Sequence, residues 1–279
     1  MNTEITLQEI CERIELQPEV MQQVLAYEDE LEKLWLRDKK VIIEGLQQEA
    51  LWESTRQELK KRLGEDSRGI KILTCMLQCS RETYQNYKHL GICDAIFNDT
   101  MKCFTRFVQE HKNSYGCYGF DRDFWTTRQL SACLFRIGVL EYEMTEYQKA
   151  KVISIHIPSD AVLQREGLRE SCASARAFFT ETFPAYATAK MMCGSWLLAP
   201  SLQEILHKDS NILQFQNAFE IVHVDEESTE FMEWVYKKNN IPLEELPEET
   251  SLQRNMKRYL EKGGKVGEAI GFLREPAFK

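Results

Sequence analysis

The sequence predicts an α+β protein, in which an all-α helical domain over residues 1–115 is followed by a mixed α/β domain over residues 116–279. The first observation behind this prediction is the distribution of turn-forming residues. Residues 1–115 contain four Gly and one Pro, whereas residues 116–279 contain nine Gly and six Pro. The second observation is the hydrophobic period, which is helical in the first part and alternates at several places in the second. A chain of 279 residues is long enough for two domains.

Charge and hydropathy exclude two classes of partner. Lys and Arg number 35 against 44 Asp and Glu, so the net charge is −9 and the basic excess needed to bind a nucleic-acid backbone is missing. No apolar run approaches the ~20 residues of a membrane span, and the acidic N-terminus does not resemble a signal peptide. We therefore expect a cytoplasmic protein that binds neither nucleic acid nor membrane; its oligomeric state is left open.

The nine cysteines indicate a reducing compartment, because their number is odd and no CxxC pair is present. Cys75 and Cys79 lie four residues apart, so on a helix both thiols would share one face and could bind a metal. No third ligand stands at a suitable spacing. Ordinary helix packing is the preferred interpretation, and no metal site is predicted.

Five amphipathic helices account for the first part. Thr6 and Glu9 form a capping box before the first helix, and Pro18 occupies the first turn of the second. The other three are predicted over residues 38–63, 70–90 and 96–115. Short connections between helices are typical of a bundle or a layer.

Strand patterns begin after Gly116. Residues 134–144 are predicted to form one strand and residues 151–158 a second, and their short polar link favours an antiparallel hairpin. A helix over residues 164–183 buries one apolar face. The remaining elements are strands at 191–198, 219–224 and 266–273 and helices at 202–206, near 229–238 and after the Thr250–Gln253 capping box.

His156 is the first candidate for chemistry, because it lies near the end of a predicted central strand. Glu141 and Glu143 share one side of the facing strand. If the hairpin register brings one of them to His156, each group would perturb the pKa of the other. The alternative is a hydrogen-bonded structural histidine with solvated glutamates.

The turn after the second strand is the second candidate. A strand that leads into a helix points unsatisfied backbone N–H groups at one place, which suits a phosphate, and Arg165 and Arg169 lie just beyond. The alternative is simple capping of the helix by Ser159 or Asp160. A third feature, the polar and aromatic cluster of residues 121–129 at the junction of the two predicted domains, is interpreted as interdomain packing with paired charges.

Four segments together resemble a bacterial acyltransferase family that joins a helical N-acyltransferase N-terminal domain to a GNAT-like C-terminal domain. They are residues 120–129 (FDRDFWTTRQ), 135–143 (FRIGVLEYE), 153–161 (ISIHIPSDA) and 195–198 (SWLL). The resemblance covers most of the chain and is strongest between Gly119 and Val224. It implies a GNAT-like fold for residues 116–279, with 134–144 as the third strand, 151–158 as the fourth and 191–198 as the fifth.

The resemblance also implies acyl-CoA as co-substrate, inserted where the fourth and fifth strands part. The family's phosphate turn has the pattern [Q/R]xxGx[G/A]. Gln164 and Gly167 match it, whereas Arg169 departs from its last position, and the match begins several residues late. Ser159, in the turn itself, and the backbone N–H near Ile157, which faces the oxyanion, complete the predicted cofactor-binding set.

The chemistry that such a fold implies is direct attack of an amine on a thioester. A base removes the ammonium proton, and His156 or Glu141 is the candidate for this role. An acid returns a proton to the CoA thiolate, and Ser195, Cys193 and His207 are candidates for it. We therefore expect an acyl-CoA-dependent N-acyltransferase acting on a small-molecule or peptide amine. The alternative is a GNAT-like CoA-binding or regulatory module without catalysis, which the incomplete phosphate pattern favours.

Overall fold

The structure is a computed structural model that describes residues 5–35, 38–236, 241–275 and 277–278. The first four residues, part of the acidic N-terminus, lie outside this range, as do residues 237–238 at the end of the helix predicted near 229–238. Two compact units divide the chain, Met1–Ile137 and Gly138–Lys279. No helix among the described residues is long and apolar enough to cross a bilayer.

The first unit is helical, as predicted. The Thr6–Glu9 capping box is present, with the Glu9 N–H donating to the Thr6 hydroxyl at 3.1 Å, and the second helix begins at Pro18. The elements are α1 (Leu7–Arg13), α2 (Pro18–Trp35), α3 (Lys39–Leu46), α4 (Trp52–Leu63), α5 (Ile70–His89), α6 (Asp94–Tyr115), α7 (Asp123–Leu130) and a short strand, β1 (Leu134–Ile137).

The single helix predicted over residues 38–63 is wrong. Helices α3 and α4 are separate, with a 3-10 turn at Glu49–Leu51 between them. Gly45 allows them to pack closely, since a Cβ atom on it would lie 2.3 Å from the Thr55 hydroxyl oxygen. Hydrophobic period alone did not reveal this break, because both helices bury apolar faces in the same unit.

Helix α5 forms the centre of this unit, and twelve of its residues are buried. Cys75 and Cys79 both point into the packed interior, and burial raises the pKa of the Cys75 thiol to about 12. The two cysteines therefore serve as neutral packing groups. Among the described residues, no group of three His, Cys, Asp or Glu side chains is placed to hold a metal ion.

Residues 121–130 add a charged contact to this core. Asp123 is buried, and its carboxylate accepts a hydrogen bond from Arg56 at 2.6 Å and forms an ion pair with Lys60 at 2.8 Å. The Arg128 guanidinium lies over the Trp125 ring, 4.5 Å from its centroid. The charge pairing predicted for this cluster is confirmed at Asp123, and both partners lie in the same compact unit as Asp123, so the interdomain part of the interpretation stays a prediction.

The boundary between the two compact units lies after Ile137, further along the chain than the domain boundary predicted after Tyr115. Helix α7 is tied to α5 by the Thr83 hydroxyl, which donates to the Leu130 carbonyl at 2.7 Å. Strand β1 is tied to α6 by the Arg136 N–H, which donates to the Thr100 hydroxyl at 2.9 Å. These residues therefore join the helical unit, while the boundary at residue 115 stays a prediction about where independently folding pieces separate.

The second unit is built on a mixed sheet in the order β2-β3-β4-β6-β5, in which β3 and β4 are parallel and the other neighbours antiparallel. This arrangement confirms the predicted fold class of a helical part followed by a mixed α/β part. The strands are β2 (Leu140–Tyr147), β3 (Ala150–His156), β4 (Lys190–Ser195), β5 (Phe219–Asp225) and β6 (Glu268–Leu273). The helices are α8 (Arg165–Thr182), α9 (Leu202–Ile205), α10 (Asn211–Gln216), α11 (Glu230–Tyr236) and α12 (Ser251–Glu261).

Two strand predictions need correction. Residues 134–144 form two strands rather than one, because Gly138 has φ +64 and turns the chain between β1 and β2. The strand predicted at 191–198 ends at Ser195, and the buried residues Trp196–Leu198 form a 3-10 turn. The helix predicted at 164–183, the capping box of Thr250 and Gln253, and the last strand are confirmed.

Candidate active site

His156 and Glu143 form a hydrogen-bonded pair in the hairpin of β2 and β3. The register places Glu141 opposite His156, yet it is Glu143 whose Oε2 atom lies 2.7 Å from the imidazole Nε2. A carboxylate can only accept, so Nε2 carries the hydrogen and the lone pair of a neutral ring is on Nδ1. The side chains are 21% and 13% exposed, respectively, so the pair is partly shielded from water but accessible.

The structure thus selects one of two glutamates that the sequence left open. Glu141 is buried, with 2% of its surface exposed. Glu143 is diagonal to His156 across the hairpin, a distance that a long side chain spans easily. His156, one of the predicted catalytic residues, therefore has a carboxylate partner, and this partner is Glu143 rather than Glu141.

Strands β3 and β4 part next to this pair. Their parallel register runs from Val152 with Lys190 to Ser154 with Met192 and ends there, although both strands continue. Beyond that point β4 pairs only with β6 among the described strands, through Ser195 with Ala269. The separation predicted between these two strands is present, and Ile157 follows immediately after the end of β3.

One face of the sheet carries the His156–Glu143 pair and, beside it, an exposed surface around Gly194 that we call the floor. Paired residues of neighbouring strands point to the same face, and side chains alternate along each strand. The registers therefore place Gly194 of β4 and Glu268 of β6 on the face that carries His156 and Glu143. Gly194 is exposed and has no side chain, so the surface between the histidine pair and Glu268 is open.

The predicted phosphate turn lies at the beginning of α8. This helix starts at Arg165 with Gln164 as its N-cap, and the Gln164 side chain makes no capping hydrogen bond. The alternative, capping by Ser159 or Asp160, is wrong, because the Pro158–Ala161 turn ends several residues before the helix begins. Gln164 and Gly167 therefore occupy the first turn of the helix after β3, although in sequence the motif comes late.

A cavity of about 600 Å³ adjoins this helix start. Arg165 and Arg274 both line it, together with apolar side chains such as Leu163 and Leu168. Two guanidinium groups beside the N-terminal end of an 18-residue helix favour an anion. The cavity also has an acidic group, Glu275, which is engaged by Arg176 at 2.8 Å.

Each of the three candidates for the general acid is engaged in another hydrogen bond, fully buried or highly exposed. The Ser195 hydroxyl oxygen accepts a hydrogen bond from the Leu197 N–H at 3.1 Å and so caps the 3-10 turn that follows β4. Cys193 is fully buried, and burial raises the pKa of its thiol, which makes it inert. His207 is 84% exposed and lies 3.4 Å from Asp209.

The structure adds a carboxyl pair that sequence reasoning missed. The carboxyl group of Glu230, the first residue of α11, lies next to that of Glu268, the first residue of β6. Much of the surface of Glu230 is exposed, but desolvation of its carboxyl group and the neighbouring carboxyl group of Glu268 raise the pKa of Glu230 to about 7. The two glutamates are far apart in sequence and belong to different elements, so no local spacing signals the pair.

Comparison with known proteins agrees with this architecture. Residues 5–132 match the family described as N-acyltransferase N-terminal domain, and residues 134–273 match the family described as GNAT-like C-terminal domain. Comparison with curated protein sequences gave no significant match.

Several solved structures share the fold. An acyltransferase in complex with decanoyl-CoA and teicoplanin, and one in complex with CoA and 10C-teicoplanin, each align with a TM-score of 0.81 at 23% identity. An acyltransferase in complex with decanoyl-CoA aligns with a TM-score of 0.78 at 22% identity. Each alignment covers 97% of this chain and 88% of the other. With both halves matched by family, the chain belongs to the family that combines an N-acyltransferase N-terminal domain with a GNAT-like C-terminal domain.

Proposed function

We propose that this protein is an acyl-CoA-dependent N-acyltransferase, which transfers an acyl group from the CoA thioester to an amine. The observation that carries the proposal is the separation of β3 and β4 beyond Ser154 and Met192, directly beside the His156–Glu143 pair. Family membership supports the same activity, and related structures hold acyl-CoA or CoA.

In this proposal His156 is the base. It accepts a proton from the attacking ammonium at Nδ1, while Glu143 orients the ring through Nε2 and stabilises the imidazolium. The amine nitrogen then forms the new C–N bond, and the C–S bond of the thioester breaks. The backbone N–H of Ile157 faces the developing negative charge on the carbonyl oxygen, and one such donor contributes ~3 kcal/mol. The nitrogen loses its second proton as the amide forms, and the thiolate takes up one proton, so the overall reaction releases a single proton, the one accepted by His156.

Acyl-CoA is proposed to bind with its pantetheine arm between β3 and β4 and its phosphates at the start of α8. The residues present fit this co-substrate, because the strands separate where the arm would enter and two arginines line the adjoining cavity. The cofactor-binding set is then Ile157, Ser159, Gln164 and Gly167, with Arg165 and Arg274 added from the structure.

The proposal is tested by acyl-CoA binding and by acyl-CoA-dependent thiol release over a panel of amines. We expect acetyl-CoA or a longer acyl-CoA to raise the melting temperature and amines to accelerate thiol release. Binding of acyl-CoA without release for any amine would favour the second candidate, a CoA-binding module without catalysis. Arg169 at the last position of the phosphate pattern, where the family has Gly or Ala, is the observation that favours this candidate.

Removing the two arginines of the cavity at α8 tests the position of the phosphates. We expect the Arg165→Gln, Arg274→Gln double variant to weaken acyl-CoA binding by about 10²-fold or more, since charge-assisted bonds to phosphate are each worth ~1.5–3 kcal/mol. Titration calorimetry measures this. Arg258→Gln is the matched control, because Arg258 is exposed on α12 and does not line this cavity. Equal affinities of the double variant and the control would contradict the assignment.

Filling the floor at Gly194 tests the position of the reaction. A Cβ atom there would lie 3.6 Å from Ile270 Cγ1, an ordinary contact, so Gly194→Ala is expected to fold and remain active. Gly194→Phe places a ring between His156 and Glu268 and is expected to lower kcat/KM by about 10²-fold. Both variants are assayed for thiol release and for melting temperature. If the Gly194→Phe protein remained fully active, the proposed position of the reaction next to Gly194 would be wrong.

The acceptor is proposed to be a small molecule or a peptide that carries a primary amine, and the place of action to be the cytoplasm. All nine cysteines fall within the described residues, and none of them is in a disulfide there, which suits a reducing compartment. One of the solved relatives was crystallised with the glycopeptide teicoplanin.

A further inference from the structure

A cavity of about 430 Å³ lies where strands β3 and β4 begin, at the opposite end of these strands from the point where they part. Its size is within the ~300–1,000 Å³ range of small-molecule sites. Two lysines, Lys151 and Lys190, line it, and all of its other described lining residues are uncharged. Glu146 and Glu220, which neighbour this region in the strand registers, lie outside the lining. In a chain with a net charge of −9, such a lining favours an anionic ligand.

The two ammonium groups of this cavity lie over aromatic rings. Lys190 Nζ is 5.4 Å from the centroid of the Phe272 ring, and Lys151 Nζ is 5.3 Å from that of the Tyr186 ring. Within the described part of the chain, neither ammonium group forms an ion pair with a carboxylate. A ring face attracts a cation without neutralising its charge, so both positive charges remain available to a ligand.

The aromatic part of the lining offers a surface for a flat group. The rings of Tyr147 and Phe272 meet edge to face, with their centroids 5.9 Å apart and an angle of 74° between the planes. Both side chains are partly exposed. A ligand ring can pack on them while an anionic group attached to it reaches Lys190, whose ammonium lies over Phe272. The lining therefore suits a carboxylate that lies next to an aromatic ring.

The cavity is on the sheet face that carries the His156–Glu143 pair. Side chains alternate along each strand, and paired residues of neighbouring strands point to the same face. By this rule Val152 and its partner Lys190 share the face of His156. Val152 comes four residues before His156 in β3, so about 13 Å of strand separates the cavity from the histidine. Ser154, between them on this face, is partly exposed.

We infer that this cavity holds the far end of the acceptor, and that the acceptor has a carboxylate next to an aromatic ring about 13 Å from its reactive amine. The inference rests on the proposed function and adds the substrate class to it. The amine stays at His156, where the proposed function places it, and the carboxylate accepts hydrogen bonds from Lys151 and Lys190. An extended tetrapeptide that ends in phenylalanine has this length, since each residue adds about 3.3 Å.

Other classes of acceptor fit less well. A cationic far end would meet the charges of Lys151 and Lys190. A carboxylate without a ring would leave Tyr147 and Phe272 in contact with water. A dipeptide that ends in phenylalanine is about 7 Å shorter than the tetrapeptide, so its amine could not reach His156 while its carboxylate is in the cavity.

The test measures acylation of Gly-Gly-Gly-Phe by the full-length protein, with acetyl-CoA or decanoyl-CoA, whichever raises the melting temperature more. The comparison acceptors are the C-terminal amide of the same peptide, tetraglycine and Gly-Phe. We expect each of them to have a kcat/KM about 10-fold lower or less, since a hydrogen bond to a charged group or the packing of a ring is lost. For the amide the change should be in KM and not in kcat, because the far end is bound equally in the ground state and the transition state.

Variants of the lining test the two parts of the cavity separately. The Lys151→Gln, Lys190→Gln double variant should raise KM for Gly-Gly-Gly-Phe about 10-fold and leave that for the amide unchanged. The Lys208→Gln, Lys262→Gln double variant is the matched control, because it removes two exposed lysines of the same unit that do not line the cavity. Phe272→Leu keeps an apolar side chain and should reduce only the preference for phenylalanine over glycine. Melting temperatures check that each variant is folded.

Titration calorimetry without acyl-CoA separates this inference from the proposed function. We expect Gly-Gly-Gly-Phe to bind about 10-fold more tightly than its amide, and the double variant of Lys151 and Lys190 to remove the difference. That difference in binding, without any thiol release from acyl-CoA, would refute the proposed function alone. Equal kcat/KM for the acid and the amide, or a double variant that keeps the preference for the acid, would overturn the inference alone.

Discussion

We expect His156→Gln to lower kcat/KM for amine acylation by about 10²–10⁴-fold, because it removes a proton acceptor but keeps a side chain that can bond to Glu143. Glu143→Gln should reduce activity less, since the ring keeps a hydrogen-bond partner. The double variant should be no worse than His156→Gln alone, because the two residues act as a unit. Thiol release with a fixed amine and saturating acyl-CoA measures all three.

The sequence offers a matched control for this result. His207 and Asp209 form another histidine–carboxylate contact in the same unit, but their side chains are 84% and 89% exposed, respectively. His207→Gln should therefore leave activity and melting temperature unchanged. If His156→Gln retained the activity of the His207→Gln protein, His156 would not be the base.

The second large effect concerns stability of the helical unit. We expect Asp123→Ala to lower the free energy of unfolding by about 3–5 kcal/mol, because it leaves the Arg56 guanidinium buried without its main partner. The Arg56 and Asp123 side chains are 9% and 5% exposed, respectively, and their contact is 2.6 Å long. Glu53 also contacts Arg56 but is largely exposed, so it compensates little.

Urea denaturation followed by circular dichroism measures this loss, and Asp38→Ala is its control. Asp38 accepts a hydrogen bond from Arg62 at 2.8 Å, but both side chains are at least one-third exposed. Water screens such a pair, so its loss should cost less than about 1 kcal/mol. A similar small cost for Asp123→Ala would show that the buried pair is not a main support of this unit.

Local signals were the most reliable part of the sequence analysis. Each capping box involves residues three apart, so the Thr6–Glu9 and Thr250–Gln253 boxes could be recognised directly and both are present. Helix periodicity located α5, α6 and α8 to within a few residues. The same reasoning failed at residues 38–63, where one period extends through two helices that fold onto each other.

The candidate site was only partly predictable. His156 was identified because it ends an alternating strand, but the choice between Glu141 and Glu143 depends on the hairpin register and on side-chain reach. The place of Gln164 and Gly167 at the first turn of α8 depends on how the loop after β3 folds. Ser195 was named as a catalytic candidate, and its hydroxyl instead caps a 3-10 turn.

What the sequence by itself determined is the division into a helical part and a mixed sheet part, together with most elements and the family. These follow from local hydrogen bonding, from the uneven placement of Gly and Pro and from periodic burial. The tertiary structure decided which distant groups meet. Arg56 with Asp123, and Glu230 with Glu268, are brought together by packing between elements far apart in the chain. Strand pairing and helix packing set such contacts, and neither has a signature in the spacing of residues along the sequence.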